Sequence, residues 1–127
     1  MDSILRKALL NWFALAPDNS LEKVEEMYVN GDLNCLYRET QKWLSGQGIH
    51  TLNCFRWESG IRNNPILQSW SIDKRVAESY KELRSGHLVE KTFHSSKVLF
   101  DVCHLSEVYE LDDELGVMPC SEVVIIL

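Results

Sequence analysis

The sequence predicts a single α+β domain, with helices in its first third and strands mixed with a helix in the remainder. Residues 1–47 carry apolar side chains at three- and four-residue spacing, which is typical of amphipathic helices. Residues 48–127 contain segments that alternate with a period of two or are rich in Val, Leu and Ile, which favours strands. A chain of 127 residues with 45% hydrophobic side chains fits one domain with its own core.

Three helices are predicted before the first strand. The first covers residues 3–16 and is ended by Pro17. The second begins at a cap provided by Asn19 or Ser20, and the third covers roughly 32–45. Each has apolar residues along one side, so each is expected to pack on the rest of the domain.

Four strands and one more helix are predicted after Gly48. The strands are expected at 49–57, 66–71, 97–105 and 121–127. The helix follows the second strand, is capped by Asp73 or Ser71 and is ended by Ser85 and Gly86. Its predicted buried face is formed by Val76, Ala77, Tyr80 and Leu83.

Charge and composition exclude several classes of protein. The net charge of −6, from 19 acidic and 13 basic side chains, argues against direct binding of nucleic acid through its phosphates. The acidic run at 107–114 is interpreted as a solvated turn. No run reaches the roughly 20 apolar residues of a membrane span, and the turn residues after the first helix argue against a signal peptide. Scattered cysteines without CxxC spacing, and histidines without HExxH, predict a cytoplasmic protein without a metal site.

Polar side chains interrupt three of the predicted strands. Arg56 lies inside the first, Ser69 and Ser71 end the second, and Glu122 begins the last. Burying a charge without a partner is costly, so such a residue either faces solvent or is paired. Taken singly, Arg56 is interpreted as an exposed edge residue, Ser71 as a helix cap and Glu122 as a charge that limits aggregation. Their order along the chain favours a different interpretation.

In this order the residues resemble the arginine–serine–glutamate group of mono-ADP-ribosyltransferases, which is found among bacterial toxins and phage proteins. The similar segments are "CFRWES", "SWSIDKRVAESY" and "CSEVVII". The second segment is the most specific, because a Val-Ala pair and a tyrosine follow the two serines at the offsets typical of the group. The resemblance covers roughly residues 49–127, and the helical first third resembles the variable N-terminal helices of such domains.

The resemblance implies a fold and a set of roles. The expected architecture is a single domain, 1–127, with N-terminal helices beside two small, mainly antiparallel sheets that form an NAD cleft. The implied roles are phosphate or ribose binding by Arg56, nicotinamide-ribose binding by Ser69, ordering of the site by Ser71 and catalysis by Glu122. These residue types suit the chemistry, because cleaving the nicotinamide–ribose bond builds positive charge that a fixed carboxylate stabilises. A guanidinium fits a diphosphate, and hydroxyls can anchor sugar oxygens.

Three further residues enter through the resemblance. Cys120 occupies the acceptor-side position where related enzymes usually carry Glu or Gln, and it is interpreted as a packed thiol. This departure implies another acceptor, such as a different side chain, a nucleic acid or a small molecule, or an attenuated enzyme. Trp57 or Trp70 is a candidate platform for the nicotinamide ring, against the alternative that both are core residues. The chain has no GxGxxG or phosphate loop, so NAD would bind without a Rossmann unit.

Three functional hypotheses follow. The preferred one is an enzyme that transfers ADP-ribose from NAD to a macromolecule, with a host protein as the expected target of a bacterial or phage effector. The second is a non-catalytic module on the same scaffold that inhibits a partner by occlusion. The third is an ordinary α+β domain whose polar pattern matches by chance. The first requires Arg56, Ser69 and Glu122 to meet, whereas the third allows them to point to different faces.

Overall fold

A computed structural model of the protein describes Ser3, Arg6, Lys7 and residues 20–60, 65–109 and 121–127. Its helices are α1 (Ser20–Val29), α2 (Asn34–Gly46), α3 (Lys74–Glu78) and α4 (Val102–Tyr109). Its strands are β1 (Thr51–Glu58), β2 (Leu67–Ser71), β3 (His87–His94), β4 (Val98–Asp101) and β5 (Glu122–Ile126). Short 3₁₀ turns occupy Ser79–Glu82 and Ser95–Lys97. The predicted α+β class is confirmed, while most of the predicted first helix and most of the acidic run lie outside the described residues.

The strands form one antiparallel sheet in the order β3-β1-β2-β5-β4. The prediction of two sheets is therefore wrong for the described residues. The two parts of the sheet, β3-β1 and β2-β5-β4, are joined where β1 pairs with β2, and the register there contains the single pair Phe55–Ser71. By contrast, β1 pairs with β3 along all eight of its residues. The junction between β1 and β2 is thus the narrowest connection in the sheet.

Strand β3 was not predicted from the sequence. Its residues read "HLVEKTFH", in which adjacent Leu88 and Val89 and adjacent Glu90 and Lys91 break the alternation expected of a strand. Only Phe93 in this strand is fully buried. The strand is stabilised by its continuous ladder with β1, which a local pattern of apolar residues does not reveal.

The predicted strand at 97–105 is half strand and half helix. β4 ends at Asp101, whose carboxylate accepts the backbone N–H of His104 at 3.1 Å and so satisfies a free donor in the first turn of α4. Val102 and Leu105, one helical turn apart, are both buried. A continuous apolar run fits a strand or a helix equally well, and here the capping carboxylate decides between them.

The helix after β2 is shorter than predicted. Asp73 caps it as expected, because its side chain accepts the backbone N–H of Arg75 at 2.9 Å. The α-helix then gives way to a 3₁₀ turn after Glu78, which changes the spacing of the side chains. Ala77 is buried, but Val76 is 40% and Leu83 77% exposed, so the predicted buried face is wrong at these two positions.

The core consists of two apolar clusters, and successive residues of β5 point into them alternately. One cluster joins α1, α2 and α4 to the sheet and contains Val24, Leu33, Leu36, Leu67, Leu99, Phe100, Val102, Leu105 and Val124. The other contains Leu44, Leu52, Cys54, Trp70, Phe93, Val98, Val123 and Ile125. Within the described part of the chain, no helix has both the length and the apolar character that crossing a lipid bilayer requires.

A buried carboxylate fixes α1 against the beginning of β2. Glu25 is only 6% exposed, and its Oε2 accepts the backbone N–H groups of Ile66 at 2.8 Å and Leu67 at 2.9 Å. A carboxylate at this depth is tolerated because the hydrogen bonds offset its loss of hydration. The helix thereby holds the strand that carries both serines.

Replacing Glu25 by Ala is expected to lower the free energy of unfolding by about 1–3 kcal/mol, because two N–H groups lose their acceptor. Glu26→Ala, on the exposed side of the same helix, is the matched control and is expected to change stability by less than about 0.5 kcal/mol. Urea denaturation measures both. Equal effects of the two substitutions would show that the buried contact contributes nothing.

Candidate functional site

The register of the sheet brings the predicted site residues together at the junction of β1, β2 and β5. Phe55 pairs with Ser71, and Ser71 pairs with Glu122, so these three residues form one row across three strands. Arg56 follows Phe55 in the chain, and Ser69 lies two residues before Ser71. Residues that are 13 and 53 positions apart in the chain therefore become neighbours.

Ser69 contacts both charged residues. Its Oγ donates a hydrogen bond to Oε1 of Glu122 at 2.5 Å, and its backbone carbonyl accepts one from Nη1 of Arg56 at 2.7 Å. Both bonds are in the short range typical of hydrogen bonds to a charged group. The arrangement links a guanidinium, a hydroxyl and a carboxylate through one residue.

The guanidinium of Arg56 occupies the position where the β1–β2 ladder stops. Continuing the register beyond Phe55–Ser71 would place Trp57 opposite Ser69, but no such pair forms in the described strands. The carbonyl of Ser69 instead accepts its hydrogen bond from the side chain of Arg56. A side-chain donor thus satisfies a backbone acceptor that a regular ladder would have paired.

Burial shifts both charged groups of the site toward neutrality. Burial lowers the pKa of Arg56, and the charge of nearby Arg84 lowers it further, whereas Glu58 and Glu122 oppose the shift. Burial also raises the pKa of Glu122, and this rise is opposed by the hydrogen bond from Ser69 and by the charge of Arg56. The ionised carboxylate is therefore poorly hydrated and depends on these two neighbours.

Ser71 shapes the turn next to the site. Its Oγ donates to the carbonyl of Asp73 at 2.9 Å, accepts the backbone N–H of Asp73 at 3.0 Å and lies 3.1 Å from Oγ of Ser121. Since Ser121 directly precedes Glu122, Ser71 ties the beginning of α3 to the beginning of β5. These contacts are suited to ordering the backbone next to the site.

The two candidate tryptophans, Trp57 and Trp70, occupy different environments. Trp70 is 5% exposed, packs edge to face on Phe93 with ring centroids 5.0 Å apart, and points away from Ser69 because neighbouring strand residues alternate. This placement matches the alternative that Trp70 is a core residue. Trp57 is partly exposed, and its Nε1 donates to the carbonyl of Arg84 at 3.2 Å. Cys120 lies outside the described residues.

Arg84 brings a positive charge near the site that the sequence did not suggest. Its guanidinium lies over the ring of Tyr80, 5.3 Å from the centroid, and its charge acts on Arg56. Nearby Gly86 has φ of +152°, and a Cβ there would come within 2.2 Å of the carbonyl oxygen of Glu58. The glycine, interpreted from the sequence only as a helix terminator, is needed for this close approach to β1.

The arrangement is suited to a ligand that carries both phosphate and sugar. The guanidinium of Arg56 provides donors for anionic oxygens and Arg84 adds a second positive charge that acts on it, while the hydroxyl of Ser69 and the carboxylate of Glu122 provide polar contacts for a sugar. Among the described residues, no group of three or more His, Cys, Asp or Glu side chains is arranged so that it could hold a metal ion.

No protein-family profile, curated protein sequence or solved structure matches the chain significantly. The resemblance to mono-ADP-ribosyltransferases therefore stays a prediction, and the site is interpreted from its own geometry.

The raised pKa of Glu122 makes stability depend on pH in a defined direction. The folded protein holds this proton more tightly than the unfolded chain, so the free energy of unfolding falls as pH rises through the folded pKa. Glu122→Gln is therefore expected to be more stable than the native protein near about pH 8, with the advantage disappearing near about pH 4.

Urea denaturation across this range measures the difference between the two proteins. Glu22→Gln, on the exposed surface of α1, is the control and is expected to show no such trend. A Glu122→Gln variant that loses stability relative to the native protein as pH rises would contradict the assignment.

Proposed function

We propose that the protein is a mono-ADP-ribosyltransferase that transfers ADP-ribose from NAD to a macromolecular acceptor, with a host protein as the expected target of a bacterial or phage effector. The observation that carries the proposal is the double contact of Ser69, whose hydroxyl binds Glu122 while its carbonyl binds Arg56. If the polar pattern had arisen by chance, the three side chains would not need to lie close together. A compact NAD site requires that the three strands bring them to one place.

The groups of the site divide into two functional parts. Arg56 and Arg84 supply guanidinium donors that fit the diphosphate of NAD, and their mutual repulsion is relieved when an anion binds between them. Ser69 and Glu122 supply the polar contacts for the ribose next to nicotinamide. Trp57, beside Arg84 and partly exposed, is the remaining candidate for stacking on a flat ring.

The residues of the site favour cleavage at the ribose. NAD supplies the reactive bond, which breaks between C1′ of the ribose and the nicotinamide nitrogen, with the electron pair leaving on nicotinamide. Glu122 in its ionised form stabilises the positive charge that develops on the sugar, and its weak hydration makes this interaction stronger than it would be in water. Ser69 keeps the carboxylate in place. The acceptor then forms its bond to C1′ and releases a proton to solvent.

Removing the carboxylate tests the proposal. The native protein, incubated with NAD and cell lysate, is expected to release nicotinamide and to add ADP-ribose to a macromolecule. Glu122→Ala is expected to lower the rate of nicotinamide release at least about 100-fold, because the developing charge loses its stabilising group. Glu26→Ala, far along the chain on the exposed side of α1, should retain the native rate.

Liquid chromatography measures nicotinamide, and mass spectrometry identifies the modified acceptor. If the native protein neither binds NAD nor releases nicotinamide, while both it and Glu122→Ala inhibit a partner equally, the non-catalytic module replaces the enzyme. Position 120 carries Cys where related enzymes usually carry Glu or Gln, and this sequence feature favours the second function.

The hydroxyl of Ser69 is expected to affect the pH dependence as well as the rate. Its hydrogen bond lowers the pKa of Glu122, so Ser69→Ala should move the acidic limb of the activity profile to higher pH. The accompanying loss in kcat/KM is expected to be about 10- to 100-fold. A profile of kcat/KM against pH measures both effects, and an unmoved acidic limb would show that Ser69 does not act on the catalytic carboxylate.

A further inference from the structure

Glu58 forms an ion pair with Arg56. Neither the sequence pattern nor the proposed chemistry assigns a role to this pair. Glu58 ends β1, two residues after Arg56, so both side chains lie on the same side of the strand. Its Oε1 lies 3.2 Å from Nε of Arg56, with side-chain exposures of 25% and 29%. The pair is partly buried and belongs to the edge of the site.

Two contacts at different nitrogens fix the orientation of the Arg56 guanidinium. Glu58 accepts from Nε, and the carbonyl of Ser69 accepts from Nη1. A planar group held at two of its nitrogens can no longer rotate freely. Arg56 has five N–H donors, and its hydrogen bonds to the described residues leave those on Nη2 available for a ligand.

The backbone of Glu58 is itself held in place. Glu58 pairs with His87 at the end of the β1–β3 ladder, and Gly86 packs so closely that a Cβ there would meet the Glu58 carbonyl. A carboxylate on a fixed backbone can orient its partner, whereas a typical exposed ion pair between mobile side chains contributes little. The available donors of Arg56 therefore have a defined direction.

We infer that Glu58 is a positioning residue that orients Arg56 to bind the diphosphate of a dinucleotide. The inference rests on the proposed function for the identity of the ligand. The orientation of Arg56 is a property of the unliganded protein and can be measured without NAD turnover.

The first arm of the test measures NAD kinetics in Glu58→Ala and Glu58→Gln, with Glu26→Ala as the control. Glu58→Ala is expected to lower kcat/KM about 10- to 100-fold, because a misplaced binding group loses the productive geometry. Gln retains an oxygen that can accept from Nε, so Glu58→Gln should recover most of this loss. If Gln is as damaging as Ala, Glu58 acts through its charge and the positioning role is wrong.

The second arm uses inorganic pyrophosphate in place of NAD. The Arg56 side-chain Nε–H signal in ¹⁵N-arginine NMR spectra is expected to exchange slowly with water in the native protein and rapidly in Glu58→Ala. Pyrophosphate affinity should fall at least about fivefold in Glu58→Ala and stay near native in Glu58→Gln.

The two arms separate the inference from the proposed function. Pyrophosphate binding that depends on Glu58, in a protein without NAD turnover, would retain the positioning role and reject the transferase. Unchanged pyrophosphate affinity and unchanged kinetics in Glu58→Ala would overturn the inference. A loss of stability alone would also overturn it, because that result shows an ion pair that supports only the fold.

Discussion

The site depends on the position of Ser69, which is hydrogen bonded to an acid on one side and to a guanidinium on the other. Its hydroxyl and its carbonyl belong to the same residue, so Glu122 of β5 and Arg56 of β1 are linked through one position of the strand between them. The strand itself is held at its beginning by the buried carboxylate of Glu25 and at its end by the hydrogen bonds of Ser71. Both ends of a five-residue strand are thus fixed by side chains that accept backbone N–H groups.

Burial disfavours the charge of both Arg56 and Glu122, and each charge lessens this penalty for the other. Burial favours the neutral forms of Arg56 and Glu122, while the attraction between them favours the charged forms. The guanidinium groups of Arg56 and Arg84 and the carboxylates of Glu58 and Glu122 balance one another in charge at this place. The proposed diphosphate site is therefore locally neutral in a protein whose net charge is −6.

The α+β class, the Asp73 cap and the meeting of Arg56, Ser69 and Glu122 could be anticipated from local patterns and from residue order. The single sheet could not, because it depends on one pairing between Phe55 and Ser71 that no periodicity encodes. Strand β3 was not predicted because its long-range ladder with β1 stabilises it. Helix α4 was not predicted because a single capping carboxylate favours the helix over a strand. Arg84 was missed because its segment lies against β1, where Trp57 donates to its carbonyl and Gly86 packs on Glu58, and such an approach is a property of three-dimensional packing.

The binding of NAD at this site is tested most directly by the change in backbone amide NMR shifts when NAD is added to ¹⁵N-labelled protein. The largest changes are expected around Arg56, Ser69, Arg84 and Glu122, and Arg56→Ala is expected to remove them. Changes centred on another part of the sheet, or none at millimolar NAD, would show that the dinucleotide does not bind there.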